Sequence, residues 1–81
     1  RMRNQDPMVW YRLAEVRGLA GNISGLHQAR AEYFILIGVF DKAREQLGLA
    51  ARMVKEDFKQ SAIIRQRLRD LAAMEDRAER L

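Results

Sequence analysis

The chain carries a single histidine, His27, and no cysteine. A zinc centre needs several nitrogen, sulfur or carboxylate ligands that converge. One imidazole without an H-E-x-x-H helix does not supply them. His27 is therefore expected to pack or cap a helix and not to hold a metal. A place near a helix N-terminus disfavours its protonated ring, which argues against a pH-sensing role. Ser24 could serve as a nucleophile only with a base and an orienting acid beside it. It reads more simply as a helix N-cap. Tyr11 and Tyr33 offer further hydroxyls, and threonine is absent. Gly18, Gly21 and Gly25 do not follow the G-x-G-x-x-G order behind a strand that cradles a phosphate. The carboxylates of Asp76 and Glu79 stand in a charge-dense helix end and are expected to be solvated. The expectation is a fragment with no chemistry of its own: no catalytic residue, no metal ligand and no cofactor site.

The elements that would position any site are helical. Asp6-Pro7 signals the start of a first helix, with Asp6 as N-cap and Pro7 in the first turn. Trp10, Leu13, Ala14 and Ala20 form its apolar stripe, and Gly21 ends it. Arg17 interrupts the stripe and is expected to lie along it with its head in water. Ser24 is expected to cap a second helix that stops at Gly38. Its run Tyr33-Phe34-Ile35-Leu36-Ile37 is apolar all round, so this helix must be covered on more than one side and stand centrally. Leu26, Ala29, Arg30 and Ala31 at helical spacing, without turn signals, decide against a strand there.

Asp41 is expected to cap a third helix with the stripe Ala43, Leu47, Ala50 and Val54. Gly48 inside it costs about 1 kcal/mol relative to alanine, which a close helix crossing would offset. Asp57 with Gln60 reads as a capping box for a fourth helix through Ile64, Leu68, Leu71 and Ala78, with Glu75 on the same stripe. Its end, from Met74 to Leu81, is expected to fray or to cover the end of the stack. The alternation of small with large apolar side chains, Ala31, Ala43 and Ala50 beside Phe34 and Leu47, suits backbones that approach closely.

Length and charge set the bounds. Eighty-one residues allow one domain, here 6–81 behind a loose tail over 1–5, and the chain reads as a piece of a longer protein. Such a chain buries only about 60–65% of its unfolded surface. No apolar run approaches the roughly 18–20 residues of a membrane span. The net charge is +4, and charges of both signs alternate as on solvated helix faces. A mild basic excess runs from Arg52 to Arg69, without the interleaved aromatics that single-strand nucleic-acid binding uses.

Gly21 and Gly38 stand 17 residues apart, half of the roughly 34-residue period of a helix–turn–helix array. Residues 24–57 resemble one tetratricopeptide repeat (TPR): Ala31, Phe34 and Gly38 match its first helix, and Asp41-Lys42-Ala43, Leu47 and Ala50 its second. His27, Arg30 and Lys55 depart from the motif, at places usually held by an aromatic, a leucine and a proline. Trp10, Leu13 and Ala14 also resemble the motif's W-x-x-L-G opening, which leaves the phase of the first helix open.

A narrower resemblance spans residues 10–70. Leu19-Ala20-Gly21-Asn22, His27 through Phe34, Ala43, Gln46-Leu47, Ala50 and Arg65-Gln66-Arg67-Leu68 are similar to the C-terminal repeats of periplasmic zinc metalloproteases of the β-barrel assembly-enhancing family. The resemblance implies an all-α fold of four antiparallel helices stacked as TPR-like hairpins, an α-solenoid fragment. It also implies a periplasmic location, a parent whose H-E-x-x-H catalytic domain lies N-terminal, and a repeat domain that contacts substrate, partner or protease domain. On the repeat phase of the motif, the concave side presents Gln28 and Glu32 from the second helix, and Lys59, Gln66 and Arg69 from the fourth, as candidate peptide- or partner-binding residues. Two alternatives stay open: a scaffold TPR module of a cytoplasmic protein, and a basic helical nucleic-acid-binding domain. The terminal helix, around Trp10 and Leu13, is expected to invite self-association.

Overall fold

The computed structural model describes residues 5–80. They form four helices: α1 (Pro7–Leu19), α2 (Ile23–Leu36), α3 (Phe40–Met53) and α4 (Phe58–Glu79). No strand occurs among the described residues. Of the expected tail over 1–5, only Gln5 is described; residues 1–4 lie outside.

Each helix packs on its neighbour in sequence, α1 on α2, α2 on α3 and α3 on α4. Among the described residues no helix is long and apolar enough to cross a membrane. The buried core is Ala14, Ala29, Ala31, Ala43, Ala50, Leu47, Ile64 and Leu71. Its alanines sit where helices cross, so backbones come close and dispersion contacts replace bulk.

The turns follow from two glycines. Gly21 and Gly38 have φ of 82° and 80°, a left-handed conformation that strains any side chain. In each turn two amides close back on the helix: Gly21 N–H to Gly18 O at 3.0 Å and Asn22 N–H to Arg17 O at 2.8 Å, then Gly38 N–H to Ile35 O at 3.1 Å and Val39 N–H to Phe34 O at 2.9 Å. This double closure satisfies the orphan carbonyls of both helix ends. The third turn has no glycine. There Asp57 N–H and the Ser61 hydroxyl both donate to Val54 O at 2.8 Å, near the Lys55 that replaces the motif's proline.

The caps correct part of the sequence reading. Asp6 and Asp57 do accept from Met8 N–H and Gln60 N–H, at 2.9 and 3.0 Å. Asn22, not Ser24, caps α2, accepting Gly25 N–H at 2.9 Å; Ser24 already lies inside the first turn, where its hydroxyl accepts from Gln28 Nε2. Asp41 is likewise inside α3, behind an N-cap at Val39 that has no side-chain bond. Ala20 is exposed in the turn.

The Arg17 head is tied to the protein rather than simply solvated: the side chain is half-buried and its Nη1 donates to Gly25 O at 3.1 Å. A Cβ at Gly25 would stand 2.7 Å from Asn22 Cγ and 2.9 Å from Arg17 Cδ, so this glycine makes room for both. Gly48, by contrast, faces open space and supports no close crossing. α2 is central, touching α1 and α3, but Tyr33 to Leu36 are only half-buried and Ile37 is exposed. Of these, Phe34 and Ile35 pack against the cluster that buries Ala31, Ala43 and Ala50, which covers this part of α2 on one side rather than all round.

Two glycine substitutions should therefore move stability in opposite directions. Gly38→Ala forces a left-handed alanine and is expected to cost about 1–2 kcal/mol. Gly48→Ala removes a helix-breaking residue without a clash and is expected to gain up to about 1 kcal/mol. Thermal unfolding followed by circular dichroism checks both, at roughly 4–8 °C per kcal/mol for a domain of this size.

Candidate functional site

α2 and α4 lie side by side over α3 without packing extensively on each other, and a groove runs between them. Its wider part, about 530 Å³, is lined by Arg17, Asn22, Ser24, Gly25, Gln28, Val54, Asp57, Gln60 and Ile63. Its narrower part, about 340 Å³, is lined by Gln28, Glu32, Leu47, Ile63, Ile64, Gln66, Arg67 and Asp70. Gln28 and Ile63 belong to both, so the two parts are continuous.

The cap residues Asn22 and Asp57 share one end of this groove, and Glu32 meets Arg67 farther along. α2 and α4 therefore run parallel, offset by 35 residues at the Glu32–Arg67 pair. That is one more than the expected period. The turn between α3 and α4 holds four residues, 54–57, where each glycine turn holds three.

One polar contact ties the two walls together. Arg67 Nε donates to Glu32 Oε2 and its Nη2 to Glu32 Oε1, both at 2.7 Å, while Nη1 reaches Asp70 Oδ2 at 3.1 Å. A two-pronged guanidinium–carboxylate contact of this length is among the stronger polar contacts a protein makes. Hydrogen bonding to Glu32, more than any other contact, holds the Arg67 guanidinium above its ordinary pKa. Hydrogen bonds from Gln66 and then Arg67 hold the Asp70 carboxyl below the usual aspartate value.

Gln66 Nε2 donates to Asp70 at 2.9 Å, and its carbonyl accepts from Arg69 at 2.7 Å. The floor is apolar, Leu47 and Ile64 being fully buried, and Ile63 stands in the groove 51% exposed.

Of the residues expected on the concave side, Gln28, Glu32 and Gln66 line this groove. Lys59 and Arg69 are in neither lining; Arg69 bears on the site through its bond to Gln66 and its charge near Asp70. Sequence reasoning missed Arg67, Asp70 and Ile63. A 34-residue period sets Glu32 opposite Gln66; the extra residue in the turn between α3 and α4 brings Arg67 there instead, so the period alone does not find it. Ser61 was passed over as well.

His27 sits away from the groove, its Nδ1 2.8 Å from Gln46 Oε1, joining α2 to α3. Glu75, the charge on the apolar stripe of α4, pairs with Arg44 of α3. In the basic stretch, Arg67 is spent on Glu32 and Asp70, while Arg52, Lys55, Lys59 and Arg65 are exposed.

No family model matches this chain, and neither a curated protein nor a solved structure matches it significantly.

Glu32→Gln leaves Arg67 half-buried with one lost charge partner and is expected to cost about 1 kcal/mol, read as a lower urea midpoint. Asp70 has a different pH signature. Its folded-state pKa is lowered from 3.8, so its contribution is present above that value and disappears as pH falls through the lower folded one. Asp70→Asn is expected to be less stable than the wild type at pH 7 and equal to it well below pH 3.8.

Proposed function

We propose that the groove between α2 and α4 binds an extended segment of a partner protein, and that this module is a non-catalytic protein-interaction domain. The observation that carries the reading is the groove itself: an apolar floor at Leu47 and Ile64, half-exposed Ile63, and side-chain amides of Gln28, Gln60 and Gln66 along its walls. Amides of this kind pair with the unsatisfied N–H and C=O groups of an extended peptide, and an apolar floor takes an alternate side chain. The Glu32–Arg67 bridge crosses from wall to wall. It favours an extended chain over a helix, whose diameter with side chains is about 10–12 Å.

The resemblance of residues 24–57 to a tetratricopeptide repeat supports the same reading. The finer assignment rests on the similarity of residues 10–70 to the repeats of periplasmic zinc metalloproteases. On it, the module accompanies a protease domain carried elsewhere in the parent and presents substrate or partner to it. A parent sequence without an H-E-x-x-H helix would remove that assignment and leave the groove untouched.

The test is a panel of unstructured peptides screened against the whole chain, with isotope-labelled protein reporting the contact by NMR. Peptides that bind are expected to shift Gln28, Gln60, Ile63 and Gln66. Ile63→Glu is expected to weaken binding at least about tenfold without lowering helicity. Binding that leaves these resonances unmoved, or that survives Ile63→Glu, would overturn the proposal.

A further inference from the structure

A second surface lies on α1, away from the groove. Ala14 is the one fully buried residue of α1, facing α2. Val9, Arg12, Val16 and Leu19 recur at three- and four-residue spacing and fall on the opposite side of the helix. All four are exposed, Val16 at 60% and Leu19 at 91%. Met8, also exposed, flanks them.

α3 offers a comparison, its corresponding side being exposed at three of four positions and half-buried at Leu49. Aligning the buried Leu47 of α3 on Ala14 places Lys42, Glu45, Leu49 and Arg52 where α1 has Val9, Arg12, Val16 and Leu19. Three of those four on α3 are charged, against one on α1. The face expected to continue a helical stack, at Trp10 and Leu13, is a different one and is half-buried.

The charges on α1 indicate what covers it. From Asp6 to Leu19 the residues Asp6, Arg12, Glu15 and Arg17 sum to zero, so the net +4 of the chain resides elsewhere. A second copy is therefore not repelled at this face. Arg12 and Glu15 are both exposed and lie on either side of the midpoint between Val9 and Leu19. When two such helices cross antiparallel about a twofold axis at that midpoint, Val9 meets Leu19 of the other copy and Arg12 lies beside its Glu15, twice over. A twofold contact requires a self-complementary patch of this kind.

We propose that α1 is the contact between two copies of this chain, an antiparallel helix pair with an apolar seam and two reciprocal Arg12–Glu15 pairs. One helix per copy is a small interface, below the roughly 800 Å² per partner of a standard complex, so the dimer is weak.

Sedimentation equilibrium from about 10 µM to about 1 mM of the 81-residue chain is the test. The weight-average mass is expected to rise with concentration to twice that of the monomer. Arg12→Glu and Glu15→Arg, each placing like charges together, are expected to weaken dimerisation about tenfold. The double reversal is expected to restore it. Val16→Glu is expected to abolish it, with helicity unchanged by circular dichroism. A chain that stays monomeric at 1 mM overturns the proposal. So does a dimer indifferent to Val16→Glu, or a double reversal that fails to recover what each single one lost.

Discussion

The close approach of helix backbones at alanine is the constraint on which the rest of this structure depends. Five of the eight buried apolar residues are alanines, with only Leu47, Ile64 and Leu71 adding bulk. Such a core gains through dispersion between near backbones more than through large side chains removed from water. It also makes geometry unforgiving: Ala31, Ala43 and Ala50 are fully buried, and a methylene added at any of them must displace a packed neighbour. The thin core fixes which helices meet. α3 is held from both sides, and α2 and α4 are left as parallel walls with a furrow between them.

Those walls need a second fastening. The α2–α4 contact is slight, so the Glu32–Arg67 pair is the main polar link across the groove, and Asp70 steadies it from the same helix. Arg44–Glu75 does a related task between α3 and α4, and His27–Gln46 between α2 and α3. Charged and amide groups thus set the spacing that the alanine crossings leave undetermined. Along the rim Gln66, Arg67 and Asp70 bond to one another, and Ile63 is the apolar side chain the groove presents above the buried Leu47 and Ile64.

How much of this the sequence carried depends on the range of each interaction. Four helices, both glycine turns, the Asp6 and Asp57 caps and the alanine stripe of α3 are encoded within a few residues and were legible. The cap of α2 falls on Asn22, two residues before the Ser24 expected from sequence, because the double closure at Gly21 starts the helix that early. Arg17 looked like a solvated stem, since its acceptor, Gly25 O, lies across a turn. Gly48 invited a close crossing that the packing does not make. Helical phase alone sets Lys59 and Arg69 on the groove. Lys59 does share the stripe of Ile63, Gln66 and Asp70 but stands a turn before the lining, while Arg69 falls on another side of α4, where Arg67 takes its place. No local rule reports the roll of one helix against another, which long-range packing decides.

The two surfaces of the molecule bear on each other through that same packing. α1 contributes only Arg17 to the groove, and its apolar face points away from α2. A contact between copies through α1 would therefore leave both grooves open and join them rigidly through the alanine crossings. Two weak sites held at a fixed separation bind a partner that carries two segments far more tightly than either alone, because the second encounter becomes intramolecular. For a small domain with a shallow groove, that geometry is a route to useful affinity without a larger core. The same proposed contact would cover the exposed valines and leucine of α1, whereas α3 carries Lys42, Glu45 and Arg52 at the corresponding positions.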